Sequence, residues 1–118
     1  MRALIVDDDI AVSRMLVRCL SLWGWLADEV SRVSVALESF ELGDYDLLIS
    51  DVDLPDGDGI SLSSALMTAK PSLRIVIISG NPENMGRARE AGLVSFLRKP
   101  FSLDELRVLI DSKCAEKS

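Results

Sequence analysis

The apolar residues of the chain cluster in three short runs that have the length of strands. These runs are 3–6, 46–49 and 73–78, and they are apolar apart from Asp46 and Arg74. Continuous apolar runs of this length are typical of parallel strands that are covered on both faces. Two weaker stretches, 25–30 and 93–97, contain one or two polar residues each. The pattern therefore predicts five strands.

Stretches with helical spacing lie between the predicted strands. In the first, apolar residues recur at intervals of three or four, at Ile10, Met15, Leu16, Cys19, Leu20 and Trp23. Gly24 follows this helix and has the residue type of a C-terminal cap. A second helix is predicted over 33–42, and it also ends at a glycine, Gly43.

The remaining three helices are placed by their end signals. The third spans 60–69 and is stopped by Pro71. The fourth is short, with Asn81 as its N-cap and Pro82 at its first helical position. The fifth begins at Ser102, which opens a capping box.

Five strands thus alternate with five helices in a chain of 118 residues. This alternation predicts an α/β fold, with a parallel sheet between two helical layers. In such sheets the ligand site lies beyond the carboxyl ends of the strands. The whole chain, 1–118, is expected to form one domain with its core over about residues 2–114, without a linker or repeat.

Composition narrows the functional classes. A formal net charge of −6 argues against direct binding of nucleic acid, because no basic patch can offset phosphate repulsion. The chain contains no histidine, so phosphohistidine, an imidazole base and a histidine-ligated metal are all excluded. The run 3–6 is too short for a signal peptide or a membrane span, which predicts a soluble cytoplasmic protein. Cys19 and Cys114 follow no metal or disulfide spacing and are interpreted as reduced thiols.

Polar side chains follow four of the predicted strands at the expected ligand edge. They are Asp7, Asp8 and Asp9 after the first, Asp51 and Asp53 after the third, Ser79 after the fourth and Lys99 after the fifth. Asp9, or alternatively Asp8, has the residue type of an N-cap for the first helix. Ser79 could equally satisfy a local backbone group. The segment 56–59 is interpreted as turn chemistry without a catalytic role.

Asp7 and Asp51 have no such structural explanation. Two carboxylates ~4 Å apart repel by about 4 kcal/mol at an effective dielectric constant of 20. A hard divalent cation would offset this repulsion, since magnesium takes oxygen ligands and needs few of them from protein. Asp7, Asp8 and Asp51 are therefore candidate metal ligands, and Lys99 is a candidate partner of the same carboxylates.

With these residues, the chain resembles the receiver domains of two-component response regulators. The resemblance covers essentially the whole chain and is carried by four segments in order, which are Val6–Asp8, Ser50–Pro55, Ser79–Gly80 and Phe96–Phe101. It implies a flavodoxin-like, doubly wound (βα)5 sandwich with a five-stranded parallel sheet in the order 2-1-3-4-5.

Residue roles are carried over from the resemblance. Asp51 matches the phosphoacceptor, and Asp7 and Asp8 match the acidic pair that holds magnesium. Asp53 matches the position that offers its backbone carbonyl to the metal. Ser79 and Lys99 match the hydroxyl and the ammonium that contact the phosphoryl group.

The resemblance also implies a switch formed by Ser79 and Phe96, on the surface of helix four, strand five and helix five. Phe96 is equally well interpreted as a plain core aromatic. A cis bond between Lys99 and Pro100 is implied as well. The missing acidic pair before Phe96 places in doubt the phosphorylation-dependent dimer of the family's DNA-binding branch.

The function implied is magnesium-dependent acceptance of a phosphoryl group from a histidine kinase or a phosphotransfer protein, with manganese as a substitute ion. The domain would be no enzyme beyond slow self-dephosphorylation, a monomer or weak dimer, and would signal to an effector or an attached output domain. It would bind neither nucleic acid nor membrane.

Other interpretations stay open on the residues alone. One alternative is a phosphorylation-independent pseudo-receiver that binds proteins. Another is a phosphatase like the haloacid dehalogenases, which also use an Asp-x-Asp pair, although Pro55 stands where that family has Thr or Val. A flavodoxin is disfavoured because Asp7, Asp8 and Asp9 would repel a flavin phosphate.

Overall fold

A computed structural model describes the backbone of residues 1–93 and 95–117 and, within that span, the side chains as far as Asp111. The side chain of Cys114, predicted to be a reduced thiol, lies outside the described part. Within it, none of the helices combines the length and the apolar composition that crossing a bilayer requires.

Five parallel strands form the central sheet, and their spatial order is β2-β1-β3-β4-β5. They are β1 Arg2–Val6, β2 Leu26–Val30, β3 Leu47–Asp51, β4 Arg74–Ser79 and β5 Phe96–Arg98. The sequence prediction of a doubly wound sheet in the order 2-1-3-4-5 is confirmed. β1 and β3 lie side by side, so the residues that follow them meet at one edge.

Five helices connect and cover the strands. They are α1 Ile10–Leu22, α2 Val33–Leu42, α3 Gly59–Ala69, α4 Asn84–Glu90 and α5 Leu103–Lys117. A two-residue antiparallel pair, Asp53–Leu54 with Gly57–Asp58, stands between β3 and α3. The segment 56–59, which the sequence indicated as a turn, covers the second half of this pair and the first residue of α3.

The core has two layers because neighbouring residues of a strand point to opposite faces. Ala3 and Ile5 of β1 pack with α1 and α5, through residues such as Leu16 and Leu106. Leu4 of β1 lies in the other layer, with residues of α2, α3 and α4. The sheet is therefore buried on both faces, as its continuous apolar runs predicted.

Two of the predicted element ends are wrong. α4 begins at Asn84 rather than after Asn81, because the amide groups of Asn84 and Met85 donate to carbonyl groups three residues earlier, in a tight turn. The side chain of Asn81 accepts from the amide of Glu83 instead. β5 begins at Phe96 rather than at 93, because the amide of Leu93 donates to Ala88 and closes the end of α4.

Candidate functional site

Asp51 is the last residue of β3, and its carboxylate is mostly buried, with 12% of the side chain exposed. The backbone amide of Val52 donates to its Oδ1 atom at 2.8 Å. Lys99 Nζ lies 3.3 Å from the Oδ2 atom. The carboxylate is thus held between a backbone donor and a single ammonium group.

Lys99 also reaches Asp7, which follows β1. The distance from Lys99 Nζ to Asp7 Oδ2 is 3.0 Å, and the side chain of Asp7 is 0% exposed. The amide of Lys99 donates to the carbonyl of Ser79 at 2.9 Å, which ties the end of β5 to the end of β4. The peptide bond between Lys99 and Pro100 is cis, as predicted.

Three carboxylates meet at this edge. Asp7, Asp8 and Asp51 each offer one oxygen atom, and these oxygens all lie within 4.8 Å of one another. Asp7 and Asp51 are buried and Asp8 is exposed, so the cluster opens to solvent on one side. Three hard oxygen donors with an open side fit a small divalent cation that keeps water ligands. The donor set therefore suits a metal of the type that the sequence predicted.

The pKa values at the site move in directions that reflect this crowding. Burial raises the pKa of Asp51, and the attraction of Lys99 does not fully offset burial and the charge of Asp7. Burial opposes the charge of Lys99, but its hydrogen bond with Asp7 and the charge of Asp51 outweigh burial, and its pKa is raised. The ion pair therefore favours the charged lysine more than the charged Asp51. We attribute this difference first to the burial of Asp51 and then to the neighbouring charge of Asp7.

The other predicted residues lie around this cluster. Asp9 caps α1 by accepting from the amides of Ala11 and Val12, so its predicted structural role is confirmed. The side chain of Asp53 is exposed. The hydroxyl group of Ser79 is fully buried, and its partners in the described residues are Asn81, which follows β4, and Asn84, the first residue of α4. Phe96 is partly buried against the layer of α2, α3 and α4.

Gly59 supports the site in a way that sequence reasoning missed. A Cβ atom at this position would lie 1.9 Å from the backbone oxygen of Asp51 and 2.7 Å from Ser50 Oγ. Only glycine permits this close approach, so the N-terminus of α3 packs directly on the backbone of Asp51. The turn composition of the segment gave no sign of this contact.

Comparison with known proteins decides the family. A family model described as "Response regulator receiver domain" matches residues 3–111. The chain belongs to this family.

Two curated relatives support the assignment. RssB of Serratia marcescens, a swarming motility regulation protein, is 33% identical over 108 residues, which cover 90% of this chain and 49% of RssB. BasR of Escherichia coli K12, a transcriptional regulatory protein, is 30% identical over 112 residues, or 93% of this chain and 50% of BasR. The receiver domain thus spans about half the length of these curated relatives.

The fold agrees with solved structures of the family. A putative response regulator from Chloroflexus aurantiacus has a TM-score of 0.88 and 30% identity, with 97% of each chain covered. The receiver domain described here is thus a signalling domain of two-component systems, as the sequence motifs indicated.

Proposed function

We propose that Asp51 is the phosphoacceptor of this receiver domain. The observation that supports this proposal is the position of its carboxylate, which lies at the end of β3 between Lys99 and the carboxylates of Asp7 and Asp8. The donor would be the phosphohistidine of a sensor histidine kinase or of a phosphotransfer protein. One Oδ atom of Asp51 would attack phosphorus, and the phosphorus–nitrogen bond would break with its electron pair going to the imidazole.

Asp7, Asp8 and Asp51 would hold Mg²⁺, and Mn²⁺ would serve in its place. The backbone carbonyl of Asp53 is proposed as a further ligand. When bound, the ion would neutralise charge between the carboxylate and a phosphoryl oxygen. It would also relieve the mutual repulsion of the three carboxylates, two of which are paired with Lys99.

Lys99 would supply the positive charge that the transferred group needs. Phosphoryl transfer depends mainly on positioning and charge neutralisation, with little covalent chemistry for the protein to perform. Lys99 Nζ bridges Asp7 and Asp51, so its positive charge lies beside the carboxylate that would receive the phosphoryl group. Ser79 would donate its hydroxyl proton to another phosphoryl oxygen once the group is bound.

The acyl phosphate would hydrolyse slowly, so the domain would not turn over a diffusible substrate. Ser79 and Phe96 would switch the surface of α4, β5 and α5. The partner that reads this surface would be an effector protein or an attached output domain. We propose a cytoplasmic, monomeric or weakly dimeric domain, spanning 1–118, that does not itself bind nucleic acid or membrane.

Phosphorylation by acetyl phosphate with Mg²⁺, followed by intact-protein mass spectrometry, tests the proposal. The wild type should gain the mass of one phosphoryl group, and Asp51→Asn should gain none. Asp104→Asn, which removes an exposed carboxylate on α5, should behave as the wild type. Chelation of the metal should abolish the adduct in the wild type and in Asp104→Asn.

Two outcomes would support other functions. The absence of an adduct in the wild type would favour the pseudo-receiver that binds proteins without phosphorylation. An equal adduct in Asp51→Asn would refute the assignment of Asp51 as the phosphoacceptor. Sustained turnover of p-nitrophenyl phosphate would instead favour a phosphatase like the haloacid dehalogenases.

A further inference from the structure

In the part of the chain that the structure describes, the buried hydroxyl group of Ser79 makes three contacts, with Asn81 and with Asn84 at the start of α4. Ser79 Oγ accepts from Asn84 Nδ2 at 2.8 Å and from the backbone amide of Asn81 at 3.0 Å. Its own proton faces the carbonyl of Asn81 at 3.4 Å. A hydroxyl group has one proton and two lone pairs, so these contacts use its full capacity. The hydrogen-bonding capacity of the hydroxyl group is thus fully used by Asn81 and by Asn84 of α4.

Asn84 is the first residue of α4, and its side chain is held from both ends. It is only 4% exposed, although it is polar. Its Oδ1 atom accepts from Arg87 Nη1 at 3.1 Å. Because a guanidinium group only donates, the amide oxygen must face Arg87 and the amide nitrogen must face Ser79. Arg87 therefore determines which end of the amide reaches the hydroxyl group.

Arg87 is in turn anchored on Asp58. The distance from Arg87 Nη2 to Asp58 Oδ2 is 2.7 Å. Asp58 is the N-cap of α3, where its other oxygen accepts from the amide of Ile60. The partner of Arg87 is therefore the N-cap of α3, and the first residue of α3, Gly59, packs against the backbone of Asp51.

We propose that Asn84 is a positioning residue that holds the Ser79 hydroxyl group away from the phosphoryl site. Arg87, anchored on Asp58, keeps the Asn84 amide in the orientation that does so. We call the set Ser79, Asn84, Arg87 and Asp58 the amide latch. This inference rests on the proposed function and adds the restraint that a phosphoryl group must overcome.

Opening of the latch has a consequence for α4. If Ser79 turns toward a phosphoryl oxygen, the buried Nδ2 group of Asn84 loses its acceptor, which is costly in a site closed to water. The start of α4 must then move to give this group a new partner. α4 has seven residues and contains Gly86, so it resists such a movement weakly. The latch thus links the occupancy of the site to the position of α4.

Beryllofluoride with Mg²⁺, a stable mimic of a phosphoryl group on a carboxylate, is the probe for the test. Asn84→Ala removes one hydrogen bond that exists only in the free state, so beryllofluoride should bind about three- to tenfold more tightly. Arg87→Ala should shift the affinity in the same direction by a smaller factor. Arg89→Ala removes an exposed arginine of the same helix and should leave the affinity unchanged.

A second pair of variants separates the latch from a general loosening of α4. In a Ser79→Ala background the latch has no hydroxyl group to hold, so Asn84→Ala should no longer change the affinity. A tightening of equal size in both backgrounds would overturn the proposal, as would weaker binding or no change in Asn84→Ala. If Asn84→Ala does not fold, Arg87→Ala, which changes an exposed side chain, provides the test. An unchanged beryllofluoride affinity in Arg87→Ala would then overturn the proposal.

The metal-free protein offers a readout that needs no ligand. The side-chain amide resonances of Asn84 should shift in Ser79→Ala and in Arg87→Ala and stay in place in Arg89→Ala. Unmoved resonances would overturn the latch while leaving the proposed function intact. Failure of the wild type to bind beryllofluoride, with these resonances shifting as expected, would instead refute the proposed function and with it the latch's role in signalling.

Discussion

At the scale of single residues, Asp51 lies in surroundings that oppose its own charge. Its carboxylate is mostly buried and close to two other carboxylates, and Lys99 is the cation that compensates for it in the described part of the chain. Burial raises its pKa despite this lysine. A group whose pKa is higher in the folded state stabilises the fold at low pH, and this contribution is lost as the pH rises through the folded pKa.

Asp51→Asn should therefore stabilise the metal-free protein at pH 7. The expected gain in the free energy of unfolding is roughly 0.5–2 kcal/mol, the usual size for relief of one unfavourable contact. Because both proteins carry a neutral group at acid pH, the gain should disappear below the unfolded pKa of Asp51. Thermal melts of both proteins in a chelator, from pH 3 to pH 8, measure the difference. A gain that is independent of pH would contradict the stated cause.

Gly59→Ala should damage the site through its backbone. The new Cβ atom would lie 1.9 Å from the Asp51 oxygen, so either α3 or the end of β3 must move. We expect a loss of about 1–3 kcal/mol in the free energy of unfolding, as for other overpacked sites. Urea titration measures this loss. Gly86→Ala is the matched control, because nothing lies within 4 Å of its added Cβ atom and alanine favours the helix.

At the scale of elements, the hairpin between β3 and α3 organises two helix starts. Asp58 caps α3, and Asp56 accepts from the amides of Val33 and Ser34 at the start of α2. The cap of α2 thus comes from a residue more than twenty positions away, and its N-cap residue, Arg32, provides no side-chain bond. Both amide groups lower the pKa of Asp56, and the amide of Ser34 has the larger effect.

Asp56→Ala should lower the melting temperature at pH 7 by a few degrees. A depressed pKa contributes stability above the unfolded pKa, and this contribution is lost as the pH falls through the folded pKa. The difference between variant and wild type should therefore shrink below about pH 4. Thermal melts across this range provide the check, with Glu38→Ala on the exposed face of α2 as the control. A constant difference down to pH 2 would indicate a packing effect instead.

The elements show where sequence reasoning succeeds and where it fails. β1, β3 and β4 were predictable because buried parallel strands are largely apolar, and α2 was predicted at its observed bounds. The starts of α4 and β5 were misplaced because backbone hydrogen bonds at 84–85 and 93, and not residue types, determine them.

Some residues of the candidate site were likewise predictable from the sequence, and others were not. Asp7, Asp8, Asp51 and Lys99 were found because each lies at or just after the end of a strand, and the topology brings strand ends together. The partnership of Asn84 with Ser79 and the approach of Gly59 to Asp51 depend on how helices pack, which no local pattern records.

At the scale of the whole molecule, the site connects the ends of strands that are distant from one another along the chain. Lys99 extends from the end of β5 to Asp7 after β1 and to Asp51 on β3, across three strands that are not all neighbours. Changes in charge at this edge should therefore alter the free energy of unfolding of the complete domain.

Mg²⁺ should raise the melting temperature of the wild type. A ligand that binds only the folded state adds about 1.4 kcal/mol to the free energy of unfolding at tenfold excess over its Kd. Asp8→Asn should lose most of this gain, because it removes the negative charge of one of the three clustered carboxylates. Glu90→Gln, a change at an exposed position on α4, should keep it. Equal stabilisation of Asp8→Asn would place the ion elsewhere.

The central claim, that Asp51 accepts the phosphoryl group, is tested most directly by chemical trapping. Borohydride reduces an acyl phosphate to an alcohol, so phosphorylated Asp51 would become homoserine. After incubation with acetyl phosphate and Mg²⁺, reduction and peptide mapping should locate homoserine at position 51 alone. Homoserine at Asp7, Asp8 or Asp53, or at no position in a folded protein, would contradict the claim.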